Sequence, residues 1–232
     1  MDDTPSPRVT VAPNGPLRVE GAIPLSRQTI ETNAQGEAWA WRETERIDAG
    51  PSYALCRCAR SKTQPFCDDA CTVTGWDGEE TATDVPYAEQ AETYPGPALD
   101  LTDAIAFCAA ARFCDARGSA WTLVRRDDAR AQQLVEREAG HCPSGRLVAM
   151  RHGAGGARDA VEPAFDPSIV LVEDERRGVS GPVWVRGGVE VLSGDGDAYE
   201  VRNRVTLCRC GESRNKPFCD ASHVRVRFRE GS

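Results

Sequence analysis

Ten cysteines and one histidine stand at spacings that could bind metal. Towards the C-terminus, Cys208 and Cys210 flank Arg209; Cys219 follows after eight residues and His223 after three more. Three thiolates and an imidazole thus fall within one short loop, stiffened by Pro217 and Phe218 ahead of Cys219. Soft thiolates in close array select zinc or an iron–sulfur cluster, and spacing alone leaves both open. Cys56, Cys58, Cys67 and Cys71 repeat the pattern with cysteine in the last place. Four thiolates can hold either zinc or an iron–sulfur cluster. A third group, Cys108, Cys114 and the remote Cys142–Pro143, lies between them.

The run from Cys208 to His223 resembles the CDGSH iron–sulfur family nearly residue for residue, departing at Ala221, where the family usually has glycine. That resemblance implies a [2Fe-2S] cluster on Cys208, Cys210, Cys219 and His223 beneath a β-rich cap. The loop from Cys56 to Cys71 looks like a second copy, with Asp69 in the glycine position and Cys71 in place of histidine, and an all-cysteine [2Fe-2S] cluster is the expectation there. The middle group resembles a single-cluster ferredoxin motif and a divergent ferredoxin-like family ending in Cys-Pro-Ser-Gly, read here as Cys142–Pro143–Ser144–Gly145. Ala111 occupies the place of a further ligand, so three thiolates lead to the expectation of a [3Fe-4S] cluster. The alternative is a [4Fe-4S] cluster whose fourth iron is bound by water or His141. His141 is otherwise read as a packing residue or a partner of the ligands.

Positive charge falls inside the outer loops. Arg57 and Arg209 sit between the first two ligands of each, and the only two lysines, Lys62 and Lys216, lie there too. These groups are expected to offset cluster charge, the arginines acting on both sites alike.

Elements must hold these loops. Arg8–Val11, Leu17–Glu20, Val183–Val185 and Tyr199–Thr206 alternate or are β-branched and read as strands. Gly15–Pro16–Leu17 recurs as Gly181–Pro182–Val183, so each cysteine loop follows a similar β unit. Leu101–Arg112 has helical apolar spacing with Asp100 or Thr102 as N-cap, and Asp127–Ala139 reads as a second helix. Tyr94–Pro95–Gly96–Pro97 and Gly153–Gly156 mark breaks. The glycine run lacks the strand-to-helix setting of a phosphate loop and is read as a linker. The expected organisation is α+β: a β-rich CDGSH-type module over 1–93, a ferredoxin-like insert over 94–156, and a second CDGSH-type module over 157–232. The outer modules are expected to pack as a pseudo-symmetric pair, making a monomer, or else a homodimer.

The 232 residues, 40% hydrophobic and 28% charged, suffice for modest cores and leave little room for a large catalytic domain. A net charge of -8 argues against a nucleic-acid partner. No leader-like or membrane-spanning apolar run is seen, so a cytoplasmic, membrane-free protein is expected, where cysteines serve metals rather than disulfides. With no dinucleotide-binding glycine motif, electrons must come from a partner. The expected function is electron carriage between a reductase and an acceptor enzyme. The alternatives are a small iron–sulfur reductase or dehydratase acting at an open iron, and a redox sensor or cluster-transfer protein.

Overall fold

The structure is a computed structural model describing residues 6–231. It is mixed α+β, mostly sheet with few and short helices. The N-terminal repeat supplies β1 (Arg8–Val11), β2 (Leu17–Glu20), β3 (Leu25–Thr32), β4 (Ala38–Ile47) and β5 (Ser52–Leu55). After its cysteine loop come two short helices, α1 (Ala70–Thr74) and α2 (Tyr87–Gln90). The middle segment contributes β6 (Glu92–Tyr94), β7 (Leu99–Asp103), α3 (Ala120–Leu123), α4 (Ala129–His141), β8 (Leu147–His152) and β9 (Arg158–Val161). The C-terminal repeat supplies β10 (Ser168–Asp174), β11 (Val179–Arg186), β12 (Glu190–Leu192), β13 (Arg204–Leu207) and α5 (Ser222–Arg225).

The outer repeats exchange strands. One sheet runs β12–β1–β2–β5 and the other β13–β11–β10–β3–β4. β12 of the second repeat lies parallel to β1, and β3 of the first lies parallel to β10, pairing Leu25 with Ile169. A four-residue strand such as β2 cannot bury its apolar side alone. Val9, Leu17, Val19 and Leu25 therefore join Ile169, Leu171, Val183, Val191 and Leu207 in one buried core drawn from both repeats.

The middle sheet, β6–β7–β8–β9, carries α3 and α4 on a separate core that includes Leu101, Leu123, Val135 and Ala149. α4 begins two residues later than the expected helix, capped by Asp128, whose side chain accepts the Ala131 N–H at 2.9 Å. The helix expected over Leu101–Arg112 does not form. Leu99, Leu101 and Asp103 alternate inward on β7, and beyond a 3-10 turn at Ile105–Phe107 the backbone takes left-handed angles at Ala110 (φ 53°) and Arg112 (φ 67°). An α-helix excludes such residues. Asp100 and Thr102 are consequently strand residues, not caps: Asp100 accepts from His152 at 2.9 Å and from Arg158 at 2.7 Å. Of the strand expected over Tyr199–Thr206, only the part from Arg204 pairs in a ladder. Gly153–Gly156 form the turn between β8 and β9. Among the described residues, no helix is long and apolar enough to cross a membrane.

Candidate metal centres

Each outer loop hangs from its last strand by matching hydrogen bonds. The Cys56 N–H donates to Pro65 O at 2.8 Å, and the Cys67 N–H to Ala54 O at 2.9 Å. Cys208 to Pro217 (2.7 Å) and Cys219 to Thr206 (2.8 Å) repeat them. Ser61 and Ser213 brace the interior by donating to Phe66 O and Phe218 O. Asp68 and Asp220 accept the N–H groups of Lys62 and Arg214, both at 2.9 Å.

The positions where glycine was expected explain themselves here. Asp69 (φ 61°) and Ala221 (φ 67°) both adopt the left-handed conformation that glycine takes without strain. Both aim their N–H at the preceding ligand, Asp69 at Cys67 Sγ (3.3 Å) and Ala221 at Cys219 Sγ (3.4 Å). The loop geometry is thus kept despite the substitutions.

The ligating atoms come in pairs. Cys208 and Cys210 Sγ are 3.8 Å apart, and Cys219 Sγ stands 3.5 Å from His223 Nδ1. Cys56 and Cys58 Sγ are 3.6 Å apart, with Cys67 and Cys71 packed against them. Two thiolates sharing one tetrahedral metal at about 2.3 Å stand about 3.8 Å apart. Among the described residues, no three His, Cys, Asp or Glu side chains converge on the place of a single ion. The Cys56–Cys58 and Cys208–Cys210 spacings are those of two thiolates on one metal.

Burial adds a chemical reason for metal. Within the first pair the Cys58 thiol stabilises a Cys56 thiolate, lowering Cys56 to about 6 and driving Cys58 upward. Complete burial raises the Cys219 thiol well above its ordinary value. Burial likewise pushes His223 down to about 4, leaving a neutral imidazole free to ligate. Several thiolates can ionise together here only beside a cation.

The two arginines of the outer loops, both buried, are not alike, contrary to the sequence expectation. Arg57 donates only to backbone carbonyls, those of Gly15, Gly78 and Ala12, and lies over Trp76. Arg209 pairs with Glu173 at 2.7 Å and Glu230 at 2.8 Å. Trp76, which sequence reasoning passed over, packs on Cys56, Cys58 and Cys71 and donates to Gly211 O at 3.3 Å.

Cys108, Cys114 and Cys142 line one cavity of about 230 Å³. Cys108 follows the 3-10 turn, Cys114 lies in another at Phe113–Asp115, and Cys142 ends α4. Burial pushes the Cys114 thiol up to about 12. Arg146, also missed, donates to Cys108 Sγ at 3.1 Å while Asp103 grips it at 2.6 and 2.7 Å. Its position four residues beyond Cys142 was the available signal. Arg204, buried in β13, donates to the carbonyls of Ala139 and Cys142 and fixes the loop that carries Cys142. His141 does not line this cavity: its Nδ1 meets Arg137 O at 2.8 Å and its ring rests on Phe113. The remaining wall side chain able to ligate iron is Asp115.

The sites adjoin one another. Cys58 and Cys210 are partners in an antiparallel β-bridge. Phe107 and Phe218, which directly precede Cys108 and Cys219, meet edge-on at 5.3 Å between rings. In space the order is first loop, C-terminal loop, middle site.

Residues 14–70 and 180–224 match the family model described as iron-binding zinc finger CDGSH type, and residues 94–152 match the divergent 4Fe-4S mono-cluster model. The chain thus carries two CDGSH-type segments flanking a mono-cluster segment. No curated protein and no solved structure matches it. The first CDGSH match stops one residue short of Cys71, where the family histidine is replaced, while the second includes His223. The mono-cluster match supports four irons and gives no support to the [3Fe-4S] cluster expected from three thiolates. The tandem CDGSH segments and the insert together make this an iron–sulfur protein.

Proposed function

We propose that this chain carries electrons between a reductase and an acceptor protein, with its C-terminal CDGSH site at the centre of the relay. The observation that carries this reading is the contiguity of the three ligand sets, through the Cys58–Cys210 bridge on one side and the contact of Phe107 with Phe218, the residues directly before Cys108 and Cys219, on the other. When bound, the clusters supply one-electron chemistry, and the protein supplies position and electrostatics. Cys56, Cys58, Cys67 and Cys71 would hold one [2Fe-2S] cluster; Cys208, Cys210, Cys219 and His223 would hold the other. Cys108, Cys114 and Cys142 would hold a [4Fe-4S] cluster, with Asp115 as the fourth ligand. Arg146 keeps a positive charge on Cys108, and Arg57 keeps one beside the first site.

The outer modules, 1–93 and 157–232, are read as a pseudo-symmetric pair around the insert over 94–156. The reciprocal pairings of β12 with β1 and β3 with β10 support that reading, and they meet within one chain the need that would otherwise call for a dimer. A cytoplasmic setting suits the reduced cysteines.

The test is anaerobic reduction of the holo-protein by a ferredoxin reductase, followed by mixing with an oxidised electron-transfer protein or with small molecules alone. The carrier reading expects reoxidation by the protein acceptor. Steady turnover of a small molecule without any second protein would contradict it.

A further inference from the structure

A second cavity, of about 380 Å³, is lined on one side by Glu136, Arg137, Gly140 and His141 of α4. Its walls are aromatic. Trp41, Phe165, Trp184 and His141 line it, with Trp41 and Trp184 ring centres 5.0 Å apart and Phe165 edge-on to Trp184 at 5.6 Å. A purely apolar hole would need no further account, but this one is ringed by polar groups that lack protein partners.

Trp184 is 1% exposed, and its indole N–H has no hydrogen-bond acceptor. Arg137 donates one nitrogen to Trp39 O, while its buried Nη1 meets nothing. Gln28 is buried at 8% exposure, and its side-chain amide makes no hydrogen bond among the described residues. Arg186 lies over the Phe165 and Trp184 rings, donates through Nε to Ser168 at 3.1 Å, and pairs with no carboxylate. Buried donors left unpaired cost about 1–3 kcal/mol each, so the two beside this cavity, Trp184 Nε1 and Arg137 Nη1, point to a missing acceptor.

Charge gives the sign of the ligand. The two carboxylates on the wall are already committed, Glu136 to Arg151 and Glu162 to Arg204. Neither wall arginine, Arg137 nor Arg186, forms an ion pair with a carboxylate among the described residues, and burial lowers the pKa of both. The volume sits at the small end of ligand sites. We infer that this cavity binds a small planar aromatic carboxylate, its ring against Trp184 and Trp41 and its oxygens towards Arg186, Arg137 and Gln28. Trp41 also donates to His141 O at 3.2 Å and touches Phe113 at 4.9 Å. Those two residues directly precede the ligands Cys142 and Cys114, so the site abuts the middle centre.

Isothermal titration of the anaerobically purified full chain tests this without any electron transfer, so its failure would leave the carrier reading standing. The probe is 2-naphthoate, with 2-naphthamide as the uncharged and cyclohexanecarboxylate as the non-aromatic comparator. The expected result is a Kd below about 1 mM for 2-naphthoate and at least about tenfold weaker binding of both comparators. Arg186→Gln and, independently, Gln28→Leu should each weaken 2-naphthoate about tenfold while leaving the visible spectrum unchanged. No binding at millimolar concentration would overturn the inference. So would equal binding of the three compounds, or wild-type affinity in whichever of the two variants folds.

Discussion

Cys58 and Cys210, the second ligands of the two CDGSH loops, are paired across an antiparallel β-bridge, so the two outer centres meet through their backbones. Gly211 makes the approach possible. At φ +79° it sits where a Cβ would come within 3.0 Å of Cys58 O and of Trp76 Nε1. When both outer clusters are reduced, their electron spins should broaden or split each other's resonance at low temperature. Gly211→Ala should weaken that interaction as it forces the loops apart. Two independent, unbroadened signals in the wild-type protein would show that the centres do not adjoin.

His223 and Cys71 set the two outer centres apart. A thiolate adds a full negative charge where neutral imidazole adds none, so the His223 site should accept electrons first. Arg57 narrows the gap, because its hydrogen bonds go to carbonyls and not to a carboxylate, whereas Glu173 and Glu230 pair directly with Arg209. His223→Cys should lower the potential of its cluster by on the order of 100 mV and invert the order of reduction. Potentiometric titration followed by electron paramagnetic resonance reads both effects, and an unchanged order would count against them.

Ala221 carries the strain of a left-handed non-glycine residue, a cost of about 1–2 kcal/mol, part of which glycine's greater freedom in the unfolded chain would cancel. Ala221→Gly should therefore raise stability by up to about 1 kcal/mol, and Asp69→Gly by less, because aspartate tolerates this conformation better. Anaerobic urea midpoints at constant slope measure the difference.

Glu138 should make stability depend on pH. It is 1% exposed; Oε1 accepts the Arg117 N–H at 3.1 Å and Oε2 has no partner. Burial raises its pKa from 4.5 to about 8, so the folded state holds a proton that the unfolded state releases. Its contribution is complete below about 4.5, falls across the window between the two values, and is gone above about 8. The loss should be a few kcal/mol, and Glu138→Gln should flatten the profile over that window. Urea midpoints that vary equally with pH in both proteins would refute the assignment.

The ligand loops were legible in the sequence because their chemistry is local: thiolates, a proline and a short spacing suffice. The strands at Arg8–Val11 and Leu17–Glu20 were legible for the same reason, as alternation is visible over four residues. Leu101–Arg112 was not. Its alanines fit helical spacing, but the pairing of β7 with β8 and the need to turn Cys108 and Cys114 into one cavity override local preference. Nor does a local pattern announce that β3 pairs with β10, residues separated by the whole middle segment. The cavity of Gln28, Arg137, Trp184 and Arg186 is drawn from distant segments, and no short motif marks it.

The most direct test of the account is Mössbauer spectroscopy of the iron-57-enriched protein purified without oxygen, with zinc measured on the same sample. Two [2Fe-2S] clusters, one with a histidine-bound iron, and one [4Fe-4S] cluster per chain, with little zinc, is the predicted result. Stoichiometric zinc in a colourless protein would contradict it.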